Sequence, residues 1–328
     1  MEAIRIAAPK PDSDHVIIRV VASSLNPLEF TGADRDFLSC TPAVVPGFDV
    51  SGIVVAVGSA VRSFSVGDEV VAIADLNGNE SWSTEGGEVF ANARFFLTAA
   101  KPKNVSFQNA AALPLCLLSA FASIHQNVMK GDNVYIPGGG GGVALLAVQI
   151  ATRIRGAAIV ISSGSTAQSI ELARTAGAHH VYSHSQPDIA SEIARLTNGK
   201  GVDVVCDMTY SESSFVQTAK TIRTGGKWIE LGGRPRKTMR RAQPDSPVES
   251  ILRAKNASYI NVNILRYFTD PTMLSDRAKL FLHYGLTLSM EWVERGLLAP
   301  HLGETTISSM KAITAELALM RRGADTTA

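Results

Sequence analysis

Five consecutive glycines at positions 138–142 constrain the fold of this chain more than any other feature of its sequence. An apolar, strand-like run precedes them, and a helix-forming run at 145–151 follows. Such a turn allows backbone amides and a helix N-terminus to hold a dinucleotide pyrophosphate, whereas five glycines alone are also typical of a flexible loop. Gly139, Gly141 and Ala144 match the pattern G-x-G-x-x-A. We expect Gly139 to allow the tight turn, Gly141 the approach of phosphate, and Ala144 close packing of the helix.

The sequence after the glycines favours the nucleotide-binding interpretation. Further strand patterns and intervening helices follow at 157–161, 168–176, 189–197, 201–207 and 227–232. Strands that alternate with helices of this length predict a parallel sheet covered on both faces. The glycine turn is therefore expected to begin the first crossover of a doubly wound α/β domain.

The first hundred residues differ from the middle of the chain. Short β-rich runs at 16–22, 52–57 and 69–73 are separated by Pro, Gly, Asn and Asp, which predicts a compact β domain. Later in the chain, 260–267 suits a strand, and helices are predicted at 276–295 and 309–322. The predicted domains are a β domain at 1–103, a nucleotide-binding domain at 104–262, and a return to the first domain at 263–328.

Composition excludes several classes of protein. A chain of 328 residues with 45% hydrophobic content can bury two cores, and a net charge of +1 does not attract nucleic acid or a membrane surface. Because the sequence has neither an apolar run long enough to span a bilayer nor a secretory N-terminal segment, we expect a cytoplasmic protein. The three cysteines, Cys40, Cys116 and Cys206, are too widely spaced for a disulfide framework or a zinc cluster, and we expect them to be reduced.

Five motifs occur in the order and spacing of the medium-chain dehydrogenase/reductase superfamily. They lie at 46–58, 66–71, 138–144, 176–178 and 201–207. The chain resembles that superfamily over roughly residues 10 to 325. The resemblance implies a GroES-like β domain interrupted by a Rossmann domain, with the active site in the cleft between them.

The same resemblance indicates whether a metal is expected. The positions that match the zinc ligands of alcohol dehydrogenases are Asn26, Phe48 with Asp49, and approximately Pro114, and residues 74–94 lack the cysteines of a structural zinc lobe. The chain is thus similar to the zinc-independent branch, whose members are NADPH-dependent quinone oxidoreductases and enoyl or alkenal reductases. That similarity implies hydride transfer from a nicotinamide to an electron-poor acceptor without a metal.

Three candidate catalytic residues follow from this resemblance, each with an alternative. Asn26 would orient the cofactor or a substrate carbonyl, or it is a turn residue before Pro27. Ser119 would contact the nicotinamide, or it is an ordinary helix hydroxyl. Asp49 is an acid catalyst or a structural carboxylate. Phe37 replaces a tyrosine found in many relatives, which favours a quinone over an enoyl substrate because a quinone takes its proton from solvent.

The end of the second Rossmann strand indicates the cofactor. Residues 159–165 offer no acid for the ribose 2′-hydroxyl, which predicts NADPH rather than NADH. Ser169 and His184 stand where relatives have Lys and Tyr; His184 would stack on adenine or bind phosphate, or it only packs. The predicted cofactor-binding residues are Gly139, Gly140, Gly141, Gly142, Val143, Ser162, Ser163, His184, Gly232 and Arg321.

Two classes of function remain open for this chain. The first class is an NADPH-dependent reductase of quinones, or alternatively of enoyl or alkenal substrates. The second is a non-catalytic NADPH-sensing or RNA-binding protein. The loop at 234–241 contains five cationic residues. It is a solvent-exposed loop, a clamp for a cofactor phosphate or a surface that contacts RNA, although the few aromatics nearby make a nucleic-acid partner unexpected.

The alternating segment 255–268 resembles an exposed sheet edge, so we predict a homodimer with Ile260 and Val262 near its axis.

Overall fold

A computed structural model describes residues 10–26, 47–75, 82–85, 88–184, 188–209, 212–231, 246–264, 267 and 274–301. Two compact units divide these residues. The first contains the described residues up to Leu118 and those between 265 and Gly296, and the second contains Ser119–Ile264 and Leu297–His301. The second unit is therefore nearly continuous in sequence, whereas the first is assembled from separate segments.

Twelve strands and eight α-helices make up the described structure. The strands are β1 (His15–Ser24), β2 (Asp49–Val57), β3 (Glu69–Ile73), β4 (Trp82–Glu85), β5 (Glu88–Arg94), β6 (Thr98–Ala100), β7 (Asn133–Pro137), β8 (Ile159–Gly164), β9 (His180–Ser183), β10 (Val202–Asp207), β11 (Ile222–Leu231) and β12 (Ser258–Val262). The helices are α1 (Phe107–Ala111), α2 (Pro114–Ala120), α3 (Gly142–Gln149), α4 (Ala167–Ala176), α5 (Ile189–Leu196), α6 (Glu212–Thr221), α7 (Pro247–Ala254) and α8 (Asp276–Glu294). A 3₁₀ turn spans Phe95–Leu97, and π-helical turns extend α2 at Phe121–His125 and α3 at Ile150–Ile154.

The first unit is built on an antiparallel sheet. Its strand order is β4-β5-β1-β2-β3-β6, so β1 pairs with both β2 and β5. Val16, Ile18 and Val54 are fully buried, as expected for β-branched side chains on the inner face of a sheet. Helix α8 packs against β6 and the 3₁₀ turn. Its N-cap is Ser275, whose hydroxyl accepts a hydrogen bond from the Ala278 amide. The predicted β domain and the predicted helix at 276–295 are thus confirmed.

The second unit contains a doubly wound parallel sheet. Its strand order is β12-β11-β10-β7-β8-β9, with β7 near the middle of the sheet and β12 and β9 at its edges. Buried aromatic side chains fill its core, where the rings of Phe215 and Trp228 lie nearly perpendicular with their centroids 5.7 Å apart. The predicted Rossmann arrangement is confirmed, and the predicted strand at 260–267 is observed earlier, at Ser258–Val262. The predicted helix at 309–322 lies outside the described residues.

The glycine-rich turn joins β7 to α3, so it emerges from the carboxyl end of a central parallel strand. Open α/β sheets bind ligands at this end of their strands. No helix in the part of the chain that the structure describes is long and apolar enough to cross a membrane.

Candidate functional site

The glycines between β7 and α3 have different physical roles. Gly138 has a φ of +77°, so the left-handed turn occurs one residue earlier than the expected Gly139. A β-carbon on Gly139 would lie 2.1 Å from Ser162 Oγ, and one on Gly140 would lie 2.4 Å from Ser169 Cβ. Gly139 and Gly140 therefore allow the turn to pack against β8 and α4.

Gly141 is the glycine that faces open space. It is the N-cap of α3 with an ordinary φ of −81°, and a β-carbon there would meet only Gly138 O, at 3.5 Å. Gly142 and Val143 follow in the first turn of α3, where backbone amides lack partners within the helix. Ala144 is buried, as expected for close helix packing. An exposed helix start of this kind is where a pyrophosphate binds in nucleotide-binding folds, and the role expected for Gly141 stays a prediction.

A chain of hydrogen bonds beside the turn links β7, β8 and the residue that follows β9. Ser163 is fully buried, and its Oγ lies 3.1 Å from the Tyr135 hydroxyl and 2.9 Å from His184 Nε2. Burial raises the pKa of Tyr135 to about 12 and lowers the pKa of His184, so both are neutral at neutral pH. Ser162 donates to Ile136 O at 2.6 Å. The structure thus brings Ser162, Ser163 and His184 together near the glycine turn.

Helix α4 contributes no charge at the expected position of a 2′-phosphate. The Ser169 amide donates to Thr166 Oγ1 at 3.0 Å, and the Thr166 amide donates to Ser169 Oγ at 3.0 Å, which completes a capping box. Ser169 is therefore engaged in starting the helix. Residues 159–170 contain neither an acid nor a cation, so this part of the cradle is neutral. Gly232, Arg321 and the cationic loop at 234–241 lie outside the described residues.

Two of the candidate catalytic residues meet in the first unit. Asn26 Nδ2 donates to Asp49 Oδ2 at 3.1 Å, and both side chains are buried. Both oxygens of Asp49 also lie 3.2 Å from the Leu115 amide at the start of α2. Asp49 thus acts at least as the structural carboxylate that sequence reasoning held as its alternative.

Cys116 is the neighbour that sequence reasoning missed. Its Sγ lies 3.9 Å from Asn26 Oδ1, within the range of a hydrogen bond from sulfur. Burial, followed by the negative charge of Asp49, raises the pKa of the Cys116 thiol to about 12. Ser119, the third candidate, is buried in α2 and is grouped with the second unit. Phe37 lies outside the described residues.

The donors around Asn26 do not suit zinc. Tetrahedral zinc prefers thiolate, imidazole and carboxylate ligands, whereas here an amide and a single cysteine accompany one carboxylate whose oxygens accept N–H bonds. Within the described ranges, no three His, Cys, Asp or Glu side chains cluster closely enough to hold a metal ion. We therefore derive no chemistry through a metal.

Comparison with known families matches both parts of the chain. A family described as "Alcohol dehydrogenase GroES-like domain" matches residues 12–98, and one described as "Zinc-binding dehydrogenase" matches residues 142–270. A solved structure of an alcohol dehydrogenase superfamily protein from Novosphingobium aromaticivorans superposes with a TM-score of 0.78 at 28% identity, over 97% of this chain and 90% of that one.

Two curated relatives are similar over most of this chain. The quinone oxidoreductase of Rattus norvegicus is 31% identical over 71% of this chain and 71% of its own length. The chloroplastic NADPH-dependent alkenal/one oxidoreductase of Arabidopsis thaliana is 33% identical over 70% of this chain, which spans 58% of that protein.

Proposed function

Since the chain belongs to the medium-chain dehydrogenase/reductase family, in its zinc-independent quinone oxidoreductase branch, we propose that it is an NADPH-dependent, metal-independent reductase of quinones. The observation that carries the proposal is the turn after β7, where Gly141 leaves open space at the start of α3. A family fold alone does not determine chemistry, so the proposal depends on this cradle and on the buried Asn26 and Asp49 pair.

The residues of the second unit would hold the cofactor. The amides of Gly142 and Val143 would bind the pyrophosphate, whereas the Gly141 amide already donates to Gly138 O. The side chains of Ser163 and His184 lie at the carboxyl ends of β8 and β9, where a ribose is expected. The absence of an acid in residues 159–170 favours NADPH. A reduced nicotinamide, when bound, supplies a hydride.

The protein would then act by positioning the acceptor. Asn26 presents an amide whose orientation is fixed by Asp49, and an N–H donor polarises an acceptor carbonyl as negative charge develops on its oxygen. Ser119 would orient the nicotinamide through its hydroxyl. A quinone reduced in this way takes its proton from solvent, which is consistent with Phe37 in place of a tyrosine.

An α,β-unsaturated carbonyl is the second candidate acceptor. It is favoured by the similarity to the Arabidopsis alkenal/one oxidoreductase, which is comparable in identity to the rat quinone oxidoreductase. Both acceptors are electron-poor carbonyl compounds, so the Asn26 amide would polarise the carbonyl of either one.

We also propose that the protein is cytoplasmic and forms a homodimer.

The proposal is tested by following NADPH oxidation with phenanthrenequinone, benzoquinone and an alkenal, before and after exhaustive chelation. We expect oxidation with at least one quinone, a lower kcat/KM for the alkenal, and no loss after chelation. Asn26→Ala should lower kcat, while Asn92→Ala, which alters another buried asparagine of the same unit, should leave it unchanged. Failure with every acceptor would refute the enzymatic function, and loss of activity on chelation would refute metal independence.

A further inference from the structure

The amide of Asn26 is held at both of its ends. A carboxylate only accepts hydrogen bonds, so the contact of 3.1 Å with Asp49 Oδ2 requires Nδ2 on that side. Asn26 Oδ1 then points towards Cys116 Sγ, 3.9 Å away. The two neighbours together define which end of the amide faces which way.

Cys116 can serve as a donor in this contact. A thiol donates weakly through S–H, whereas a thiolate only accepts and would repel Asn26 Oδ1. Burial and the charge of Asp49 raise the pKa of Cys116 to about 12, so the sulfur keeps its proton throughout the neutral range. The donor is therefore permanent under working conditions.

Asp49 connects Asn26 to the helix that carries Cys116. Both of its oxygens lie 3.2 Å from the Leu115 amide, which belongs to the same first turn of α2 as Cys116. Because one buried carboxylate bonds to both Asn26 and α2, the thiol is held at a fixed place relative to the amide.

We propose that Cys116 is a positioning residue, whose S–H group holds Asn26 Oδ1 while Asp49 holds Nδ2, so that the amide meets an acceptor carbonyl in one orientation. The inference rests on the proposed function, since Asn26 meets an acceptor only in that reaction. Removal of the thiol takes away one of the hydrogen bonds that orient the amide. The orientation of a donor matters most in the transition state, so the loss is expected in kcat rather than in the KM for NADPH.

Three variants test the proposal. Cys116→Ala removes the donor and should lower kcat roughly three- to tenfold, the range of a lost neutral hydrogen bond. Cys116→Ser keeps a donor and should retain at least about half of the activity. Cys206→Ala is the control: it makes the same change at a buried cysteine in β10 of the second unit, and should change kcat by less than about twofold.

A second measurement does not depend on turnover. With selective ¹⁵N labelling of asparagine, the Nδ2 protons of Asn26 can be identified by their loss in Asn26→Ser. They should exchange slowly with solvent in the wild type and in Cys116→Ser, and faster in Cys116→Ala. If the wild type reduces no acceptor, the proposed function fails, and this exchange still decides whether Cys116 holds the amide. Unchanged exchange and unchanged kcat in Cys116→Ala, or a serine variant as impaired as the alanine one, would overturn the proposal.

Discussion

A β-carbon at position 139 and one at position 141 should have opposite consequences, and this contrast tests the assignment of the glycine turn. In Gly139→Ala, the new carbon would lie 2.1 Å from Ser162 Oγ and 2.7 Å from Ala173 Cβ, so both neighbours must move. In Gly141→Val, the β-carbon meets only Gly138 O at 3.5 Å, and the backbone φ of −81° is suitable for any residue. The first variant should therefore damage the fold and the second only the ligand site.

The magnitudes follow from the contacts that are lost. Displacing Ser162 breaks its bond to Ile136 O and leaves a buried hydroxyl unpaired, which costs about 1–3 kcal/mol. Overpacking against Ala173 adds about 1–3 kcal/mol. A total near 2–6 kcal/mol lowers the Tm by roughly 4–24 °C for a unit of this size. Gly141→Val should instead keep the Tm and obstruct the approach of phosphate to the amides of Gly142 and Val143. The loss of one charged backbone bond in this way raises the Kd for NADPH roughly ten- to hundredfold.

Thermal unfolding and calorimetric NADPH titration measure the two effects separately. A control double variant, Gly139→Ala with Ser162→Ala, removes the hydroxyl clash but not the clash with Ala173, and should recover part of the lost Tm. The reasoning is refuted if Gly139→Ala unfolds at the temperature of the wild type. It is also refuted if Gly141→Val binds NADPH as tightly as the wild type does.

Three further outcomes are expected. Arg321→Ala should weaken NADPH binding by about 1–3 kcal/mol with little effect on NADH, if Arg321 contacts the 2′-phosphate; equal losses in a titration of both cofactors would assign it to folding. Ile260→Asp, on the edge strand β12, should convert a dimer to a monomer in sedimentation, because it places a charge at the predicted two-fold contact; a variant that stays dimeric would contradict that contact. The pKa of His15 is raised, since the lowering effect of burial is outweighed by the hydrogen bond to Asp75 and the charge of Asp14. The resulting stabilisation is complete below the unfolded pKa and is lost as pH rises through the folded pKa. The stability difference between wild type and His15→Gln in chemical denaturation should therefore shrink as the pH is raised above about 6.5, and a constant difference would contradict the raised pKa.

The alternation of strands and helices was predictable because it depends on local patterns. The helix at 168–176 was expected within a residue of the observed Ala167–Ala176, since Gly177 ends it with a φ of +110°. The strand at 157–161 was expected about two residues too early, at an apolar run whose first residue, Ala157, precedes β8. Periodicity identifies elements more reliably than their ends.

The contacts of the site were less predictable because they join distant parts of the sequence. Cys116 was expected only to be a reduced cysteine, and its contact with Asn26 spans 90 residues. Ser169 was compared with a phosphate-binding lysine, yet it completes a capping box, a role that the neighbouring Thr166 signals locally. Which glycine adopts a positive φ could not be inferred from five identical residues, because packing against β8 and α4 decides it.

The order of the two units along the chain has a consequence for synthesis on the ribosome. The second unit is contiguous from Ser119 to Ile264, apart from a short return at Leu297–His301, and can form most of its contacts as it emerges. The first unit cannot be completed until α8 has been synthesised. This helix packs on β6, and its Glu294 carbonyl accepts a hydrogen bond from Asn104 Nδ2 at 2.9 Å. Roughly 175 residues of further translation, or about 9–35 s, separate the end of β6 from the start of that helix. During this interval the nascent β sheet displays an uncovered apolar face, so a chaperone that binds nascent chains should engage the N-terminal segment and release it only after residue 294 has left the exit tunnel.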